Sequence, residues 1–427
     1  MEPVAVIGGG LAGLSCALEL AEHGIEAELF DASPRLGGRT SSFHDQTVDE
    51  WVDNGPHLLI GAYHHARDFF ARHGITELAW QAHLHLPLWD ARRGHFSLDT
   101  RRWLPLPLSL AWAASRMPGH GLGDLPAMLR LGRETYGEMA EGLTVDAWLS
   151  ALNMPPPLTR DLLHPLCLGA MNEPPDSAPA ASFARVLHEA FTDHDAARLG
   201  WFTRPFAQSL VAPLAQALDH HGVPMHLSCR ITGLRWQAGQ PEISLRSGEM
   251  RRFGRVVLAM PTHARNHLLG IEDARADTRP ITNIHLWFDE DIRLPHPLVG
   301  GIGTLGHWFF DIGRQMPGSA QGRYRHFCAV VSAASPDSLQ PWTERLCGEL
   351  SAMLGRQAAI RPCHVRLVHE RRATTLVRAT ASPALPASVL DAGEHPQPGD
   401  LPATIETAVM RGRDAADRIL SGLGALA

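Results

Sequence analysis

Residues 4–13 of the chain read VAVIGGGLAG, and this stretch decides the fold. The run Val4–Ile7 is short, apolar and β-branched, which is typical of a strand buried in a parallel sheet. Gly8, Gly10 and Gly13 follow with the spacing G-x-G-x-x-G. In a strand–loop–helix unit, such glycines permit a tight turn, let a pyrophosphate approach the backbone, and let the helix pack closely on the strand. The stretch therefore predicts a Rossmann-type dinucleotide site.

The residues that follow the glycines support this prediction. Residues 14–23 have the apolar spacing of a helix, residues 25–30 predict a second strand, and Asp31 stands at the tip of that strand. The start of the helix presents free N–H groups to the phosphates, and Leu11 and Ala12 of the glycine loop are also expected to contact the cofactor. An acid about twenty residues beyond the glycines can accept hydrogen bonds from the adenosine ribose, and it disfavours a 2′-phosphate. NADP is therefore not expected.

A second glycine motif lies at residues 34–40, which read PRLGGRT. It resembles the second glycine motif of the amine oxidase and phytoene desaturase superfamily, whose loop lies against the pyrophosphate and ring of the flavin. The alternative is an ordinary glycine turn. The resemblance implies FAD as the cofactor, with contacts from Ala32, Arg35, Gly37, Gly38 and Arg39.

The C-terminal part of the chain resembles the closing flavin motif of the same superfamily. Residues 391–395 read DAGEH, and residues 401–408 read LPATIETA. The resemblance implies that Glu394 approaches the ribityl or pyrophosphate oxygens, and that a helix beginning near Pro402 points its N-terminus at the flavin. A positive helix end there stabilises negative charge on the reduced flavin. The implied cofactor contacts are Gly393, Glu394, Leu401, Ala403 and Thr404.

Two residues of this closing motif depart from the superfamily pattern. Thr407 stands where the superfamily often has Gly, and Arg411 stands where it often has Ser. Residues 384–390, which precede the motif, make a weak strand because they contain Pro386 and few β-branched residues.

The middle of the chain supplies further pieces of the flavin domain. Residues 206–221 predict an amphipathic helix, residues 224–236 a pair of strands, and residues 255–261 a strand that returns to the flavin domain. By the resemblance, the backbone of Ile231 meets the adenine. The expected fold class is α/β. We expect a discontinuous Rossmann-type FAD-binding domain formed by residues 1–60, 205–270 and 370–427. An α+β substrate-binding domain is expected from residues 61–204 and 271–369.

Several segments narrow the resemblance to the hydroxysqualene dehydroxylases, the squalene-associated FAD-dependent desaturases. They are DNGPH and LLIGAY at residues 53–63, PLCLGAMN at 165–172, HWFFD at 307–311 and LPATIE at 401–406. Pro56 replaces the family's Gln, and GEHP at residues 393–396 replaces its G-D-W-T. The resemblance implies that hydroxysqualene, a polyprenyl lipid, and reduced flavin give squalene, oxidised flavin and water. An external electron donor is then required.

Such a reaction needs a general acid for the leaving hydroxyl. The candidates come from the segments expected to meet the flavin, and they are Asp53, His57, Asp311 and Glu406. Three of them also have a structural interpretation: Asp53 as a turn former, His57 as a partner of backbone groups, and Glu406 as a brace of the last helix.

Composition excludes several classes of protein. The 427 residues carry a net charge of -7, so no basic field for nucleic acid is expected. The six cysteines form no C-x-x-C pair, and the 25 histidines form no H-E-x-x-H motif, so neither a disulfide framework nor a metal site is expected. Without a signal sequence or an apolar run of membrane-spanning length, the protein is expected to be cytoplasmic.

One apolar segment, residues 101–116, suggests contact with a lipid surface. Trp103 and Trp112 lie in it, and arginines flank it at both ends. Such a segment either docks at the inner face of the cytoplasmic membrane or forms a buried part of the substrate domain. Because Pro105 and Pro107 favour extended backbone, we expect a helix only over residues 109–116.

Two other functions are consistent with these patterns. An amine oxidase or carotenoid-type desaturase is favoured by the AGEH motif, although three tyrosines are few for the aromatic cage of an amine oxidase. In either of these enzymes the substrate reduces the flavin, whereas a dehydroxylase oxidises it. A non-catalytic, FAD-stabilised scaffold is the other alternative.

Overall fold

A five-stranded parallel sheet holds the N-terminal glycine loop in the computed structural model of the protein. The structure describes residues 2–137, 139–237, 239–271, 278–317, 323–378 and 384–424. The strands are, in chain order, β1 (Val4–Ile7), β2 (Ala27–Phe30), β3 (Ser42–Asp45), β4 (Glu50–Asp53), β5 (Leu59–Ile60), β6 (Leu78–Trp80), β7 (His85–Asp90), β8 (Gly94–Asp99), β9 (Leu199–Phe202), β10 (Met225–His226), β11 (Ile231–Gln237), β12 (Gln240–Leu245), β13 (Met250–Arg252), β14 (Arg255–Leu258), β15 (Thr278–Phe288), β16 (Leu298–Ile302), β17 (Trp308–Asp311), β18 (Arg325–Ser332), β19 (His364–Thr375) and β20 (Val389–Asp391).

Helices pack on the two largest sheets of the molecule. The α-helices are, in chain order, α1 (Leu11–Glu22), α2 (His64–Arg72), α3 (Leu106–Ser115), α4 (Leu125–Glu134), α5 (Val145–Ala151), α6 (Pro156–Leu158), α7 (His164–Met171), α8 (Ala180–Ala190), α9 (His194–Ala197), α10 (Ala212–His220), α11 (Thr262–Leu268), α12 (Ile312–Gln315), α13 (Leu339–Met353) and α14 (Ile405–Gly424). A 3-10 turn lies at Leu122–Asp124, and π-helical turns lie at Thr159–Leu163 and Ala207–Val211.

The parallel sheet has the strand order β10–β2–β1–β14–β20. Its strands therefore come from the beginning, the middle and the end of the chain. Val6 packs on the side of α1 and α14, whereas Ile7 packs on the side of β11 and β12. Because both faces are covered, the strands are nearly continuous apolar runs. The predicted α/β class is confirmed, and the weak segment before Gly393 forms the edge strand β20.

Helices α1 and α14 pack closely where the two ends of the chain meet. A Cβ on Gly412 would lie 2.1 Å from the carbonyl oxygen of Ala12, so only glycine permits this approach. Helix α14 begins at Ile405 and not near Pro402, because Thr404 and Thr407 cap it reciprocally. The Thr404 N–H donates to Thr407 Oγ1 (2.8 Å), and the Thr407 N–H donates to Thr404 Oγ1 (3.2 Å). Thr407 thus has a capping role that glycine cannot fill.

A seven-stranded mixed sheet, in the order β19–β15–β18–β17–β16–β7–β8, forms the second layer system. Leu286 and Phe327 project from one face into an apolar cluster with Leu346 and Leu350 of α13. The hairpin β3–β4 covers part of the other face, where its Val52 packs on Trp287. The loop after β4 therefore lies between the second glycine loop, residues 34–40, and the seven-stranded sheet.

The prediction for residues 101–116 was wrong in its helix boundary, since α3 spans Leu106–Ser115. Pro107 occupies the first turn of α3, where a backbone N–H has no intrahelical partner, so its missing donor costs nothing. Within the described ranges, no helix combines the length and the apolar character needed to cross a bilayer. Nor do the described His, Cys, Asp and Glu side chains form a group of three or more arranged for a metal ion.

Candidate active site

The three motif glycines of the first loop have different surroundings. Gly8 has a φ of +120°, and a Cβ there would lie 2.1 Å from the Ala259 carbonyl oxygen. A Cβ on Gly13 would lie 1.8 Å from the carbonyl oxygen of Gly8. A Cβ on Gly10 would instead meet no atom within 4 Å. Gly8 and Gly13 are thus required by packing, whereas Gly10 borders open space at the start of α1.

This open space has the character of an anion site. The N-cap residue of α1, Gly10, provides no side chain to cap the N–H groups of Leu11 and Ala12. The second glycine loop closes one side, because the Gly37 N–H donates to the Gly9 carbonyl (2.8 Å), and a Cβ on Gly38 would lie 3.2 Å from Gly10 Cα. Free N–H groups at a helix N-terminus suit a pyrophosphate.

Asp31 braces the glycine loop. Its Oδ2 accepts the Gly9 N–H (2.5 Å), and its Oδ1 accepts the Ser33 N–H (2.6 Å). The chain returns to this point after β10, because the Cys229 N–H donates to the Asp31 carbonyl (2.8 Å), two residues before Ile231. Ala32 follows directly. The ribose contact of Asp31 and the adenine contact of Ile231 stay predictions.

An ion pair joins the cofactor loops from opposite ends of the chain. The guanidinium of Arg39 contacts the carboxylate of Glu394, whose Oε1 also accepts the Thr375 N–H (2.6 Å). Arg411 donates from Nη1 to the Gly393 carbonyl (2.9 Å), which gives this departure from the superfamily pattern a role in holding the loop. Leu401 and Ala403 lead from this loop to the cap residue of α14. The structure thus brings the predicted N-terminal and C-terminal contacts together.

Arg35 does not join this ion pair. It donates from Nη1 to the Ser42 carbonyl (3.2 Å) and so ties the second glycine loop to the hairpin β3–β4.

Asp53 lies at the end of β4, and its buried carboxyl accepts hydrogen bonds at one of its two oxygens. Its Oδ1 accepts the Ser42 hydroxyl (2.6 Å) and the Phe206 N–H (2.9 Å). Its Oδ2 and the neighbouring Asn54 Oδ1 have no hydrogen-bond partner within the part of the chain that the structure describes. Burial raises the pKa of Asp53 to about 7, against which the bonds from Ser42 and Phe206 act. The carboxyl therefore holds a proton close to neutral pH and can donate it.

His57 lies four residues farther along the same loop. Its Nδ1 is 2.9 Å from the Gly55 carbonyl, and its ring packs edge-on against Phe206 at 4.9 Å. Burial lowers the pKa of His57, so the ring is neutral. Since a carbonyl can only accept, Nδ1 carries the proton and Nε2 is an acceptor. This imidazole suits a base or a hydrogen-bond acceptor better than a general acid.

The structure does not support the other two candidate acids. Both oxygens of Glu406 accept N–H groups at the start of α2, from His65 (2.9 Å) and Ala66 (2.8 Å). Glu406 thus caps α2, a role the sequence did not indicate. Asp311 caps α12 through the Arg314 N–H (3.1 Å) and also accepts the Leu294 N–H (3.1 Å).

Asp311 also lies on the wrong face of its sheet to meet Asp53. It pairs with Phe327, whose side chain belongs to the apolar cluster beneath α13. Side chains alternate along a strand, so the neighbouring Phe310 and its partner Cys328 project toward the hairpin side instead. Burial raises the pKa of Asp311 to about 6, so a raised pKa alone does not identify the acid.

Sequence reasoning missed the partners that make Asp53 distinctive. Ser42 lies across the hairpin, and Phe206 is 153 residues away in sequence. A local signal existed at residues 283–288, NIHLWF, where polar and apolar residues alternate as in a strand with one polar face. Which segment covers that face depends on the tertiary fold.

The flavin containing amine oxidoreductase family matches residues 11–420 of the chain. The chain belongs to this family. Its cofactor is FAD. The open space beside Gly10, the uncapped start of α1 and the joined cofactor loops fit an FAD pyrophosphate. The residues that would hold it are those of the two glycine loops and of residues 393–404.

Relatives named hydroxysqualene dehydroxylase align with almost the whole length of this flavoprotein. A hydroxysqualene dehydroxylase of Zymomonas mobilis is 25% identical, with 97% of this chain and 98% of that protein aligned. A 15-cis-phytoene desaturase of Glycine max is 27% identical over 68% of this chain and 54% of that protein. Among solved structures, cyclohexylamine oxidase from Brevibacterium oxydans has a TM-score of 0.73 at 15% identity, covering 99% of each chain. The last likeness concerns the fold alone.

Proposed function

We propose that this flavoprotein is a hydroxysqualene dehydroxylase of squalene and hopanoid biosynthesis. The observation that carries the proposal is Asp53, a buried carboxyl with a pKa of about 7 and an unpartnered Oδ2 among the described residues. The near-full-length similarity to proteins named hydroxysqualene dehydroxylase supports it.

The proposed reaction balances as alcohol, hydride and proton giving hydrocarbon and water. Asp53 donates its proton to the hydroxyl oxygen, the carbon–oxygen bond breaks, and water departs. The carbon that carried the hydroxyl is then part of an allylic cation. Bound FAD in its reduced form supplies the hydride that this carbon requires. Ser42 and the Phe206 N–H hold Oδ1, so Oδ2 is the carboxyl oxygen left to carry the proton. Solvent then returns a proton to Asp53.

The phytoene desaturase relatives favour a second candidate, a carotenoid-type desaturation. Electrons flow in opposite directions in the two reactions. A desaturase or amine oxidase takes hydride from its substrate and reduces the flavin, whereas a dehydroxylase oxidises reduced flavin.

The direction of electron flow is therefore the decisive test. We expect anaerobically photoreduced enzyme to return to the oxidised flavin spectrum on addition of hydroxysqualene, with squalene as product. We also expect the oxidised enzyme to stay oxidised with phytoene or with a primary amine. Reduction of the oxidised enzyme by either compound, without reoxidation by hydroxysqualene, would reject the dehydroxylase in favour of the rival class.

We also propose that the enzyme works at the inner surface of the cytoplasmic membrane, where its lipid substrate dissolves. In the segment 101–116, Trp103 is 73% exposed and Leu108 is 45% exposed, whereas Trp112 is half-buried beneath the guanidinium of Arg116. Leu122, Leu129 and Tyr136 extend this exposed apolar surface. Residues 101–136 contain five arginines and two acidic residues, a net charge of +3 in a chain of -7, which suits anionic lipid.

Flotation with anionic liposomes tests this location. We expect the double variant Trp103→Ser/Leu108→Ser to float at least about fivefold less than wild type, because it loses apolar area at the interface. Trp236→Ser is the matched control, since Trp236 is a 41% exposed tryptophan on β11. Equal flotation of wild type and the double variant would remove the docking proposal.

A further inference from the structure

An asparagine on the seven-stranded sheet contacts the loop that follows β4. Asn283 lies in β15, where it pairs with Val330 of β18 and with Val368 of β19. Its side chain projects to the same face as Trp287, because residues an even number of positions apart on a strand share a face. This is the face on which Val52 of the hairpin β3–β4 packs. Asn283 is buried, so its amide takes its hydrogen-bond partners from the protein.

The side-chain amide of Asn283 donates to the main chain of this loop. Its Nδ2 lies 2.8 Å from the carbonyl oxygen of Asn54. Chemistry assigns the nitrogen to this position, because a carbonyl only accepts and the NH₂ group is the only donor of the side chain. The N–H of Asn54 donates in turn to the Ser41 carbonyl (2.9 Å), directly after the second glycine loop. The main chain of Asn54 is thus bonded both to the sheet and to the segment that follows the cofactor loop.

Gly55 allows the loop to approach this amide closely. A Cβ on Gly55 would lie 2.7 Å from Cγ of Asn283 and 2.9 Å from its Oδ1, and the three atoms nearest to such a Cβ all belong to this amide. The Gly55 carbonyl also accepts the Nδ1 proton of His57 (2.9 Å). Asn283 therefore contacts the loop between the carboxyl of Asp53 and the imidazole of His57.

We propose that Asn283 is a positioning residue that fixes the loop 53–57 against the seven-stranded sheet and thereby sets the direction of the Asp53 carboxyl. This inference rests on the proposed function, in which Asp53 is the acid. The loop has no regular structure of its own after β4, so its shape depends on the contacts that it makes. Asn283 supplies one of these contacts from a different layer of the molecule.

Two supports then hold the acid. The hydroxyl of Ser42 and the N–H of Phe206 hold Oδ1 of Asp53, whereas Asn283 holds the main chain one residue farther along. An error of about 1 Å in the placement of a catalytic group can cost two orders of magnitude in rate. Water admitted beside a displaced loop would also lower the pKa of Asp53 from about 7 toward its ordinary value, because burial is what raises it.

Two substitutions displace this anchor in independent ways. Asn283→Leu keeps the branched shape of the side chain but removes the donor, and Gly55→Ala pushes the amide away without changing it. Ile284→Ala is the matched control, because Ile284 is the next residue of β15 and packs in the apolar cluster beneath α13 on the other face. We expect each of the first two variants to lower kcat at least about tenfold, with KM and FAD content near wild type. Ile284→Ala should lower Tm and leave kcat unchanged.

A double-mutant cycle tests whether Asn283 and Gly55 act through one contact. Asn283→Ala removes the three atoms that a methyl group at Gly55 would meet first. Gly55→Ala should therefore lower kcat at least about tenfold in wild type and less than about twofold in the Asn283→Ala background. An equal loss in the two backgrounds would overturn the role of Asn283.

A titration without turnover keeps this inference separate from the proposed function. The protonated-carboxyl infrared band that disappears in Asp53→Asn reports Asp53, and its midpoint in wild type is expected near pH 7. Neither Asn283→Leu nor Gly55→Ala changes a charge, so a shifted midpoint reports the burial of Asp53. We expect both variants to lower the midpoint by at least about one pH unit and Ile284→Ala to leave it in place.

The positioning role and the proposed function fail in different ways. A midpoint and a kcat that match wild type in both Asn283→Leu and Gly55→Ala would overturn the positioning role. Failure of the proposed function would appear instead as wild-type enzyme inert toward hydroxysqualene, with the midpoint still dependent on Asn283.

Discussion

Asp53→Asn is expected to slow the oxidation of reduced flavin by hydroxysqualene at least about 100-fold, because a positioned general acid contributes that much or more. The amide keeps an oxygen that accepts from Ser42 and Phe206, so the hairpin should stay in place and FAD should stay bound. Only the ionisable Oδ2, which has no partner among the described residues, is changed. Stopped-flow absorbance of the flavin measures the rate.

Wild-type turnover should also depend on the protonation of Asp53. Its folded pKa of about 7 lies above the ordinary value of 3.8, so the carboxyl is protonated below about pH 7 and loses its proton above it. The rate should therefore fall as pH rises through 7, and this limb should be absent from the residual activity of Asp53→Asn.

Asp311→Asn is the matched control for this experiment. Asp311 is also a buried carboxyl with a raised pKa, yet its side chain faces the core beneath α13. We expect this variant to lose stability through its cap on α12 and to retain the wild-type rate per bound FAD. Loss of the rate in Asp311→Asn with a normal rate in Asp53→Asn would assign the acid to the other face of the sheet.

Two glycines of one loop should give opposite phenotypes when each is replaced by alanine. Gly8→Ala places a Cβ 2.1 Å from the Ala259 carbonyl oxygen at a φ of +120°, so we expect a loss of at least about 3 kcal/mol in the free energy of unfolding. Gly10 has a φ of -76° and open space beside it, so Gly10→Ala should cost the apo-protein no more than about 1 kcal/mol.

Gly10→Ala should nevertheless weaken FAD binding at least about tenfold, because the new methyl group occupies the space that the pyrophosphate needs beside α1. Urea unfolding of the apo-proteins and FAD titration measure the two effects separately. If the Gly10→Ala apo-protein bound FAD with wild-type affinity, the pyrophosphate would not lie beside this glycine.

Local sequence patterns predicted the flavin part of the fold because its chemistry is local. The strand, the glycines and α1 lie within about twenty residues of one another, and glycine spacing reflects backbone geometry directly. Boundaries were less accurate: α14 starts at Ile405 because of a threonine cap, and α3 starts at Leu106 because its first turn tolerates Pro107. Both differences arise from the special requirements of a helix's first turn.

The acid site could be predicted only in part. Asp53 was one of four candidates, and nothing in its neighbourhood in sequence distinguished it from Glu406 or Asp311. The distinction arises from tertiary contacts: Glu406 is occupied by the start of α2, Asp311 faces the wrong layer, and Asp53 alone among the four has both a raised pKa and an oxygen without a partner in the described residues. Such contacts join residues far apart in the chain, which no local pattern records.

Anaerobic single turnover tests the central claim most directly. Enzyme with one equivalent of reduced FAD is mixed with excess hydroxysqualene, and oxidised flavin and squalene are counted in the same sample. The proposed reaction predicts one squalene for each flavin oxidised, at a rate that Asp53→Asn lowers at least about 100-fold. Flavin that stays reduced, or that oxidises without forming squalene, would contradict it.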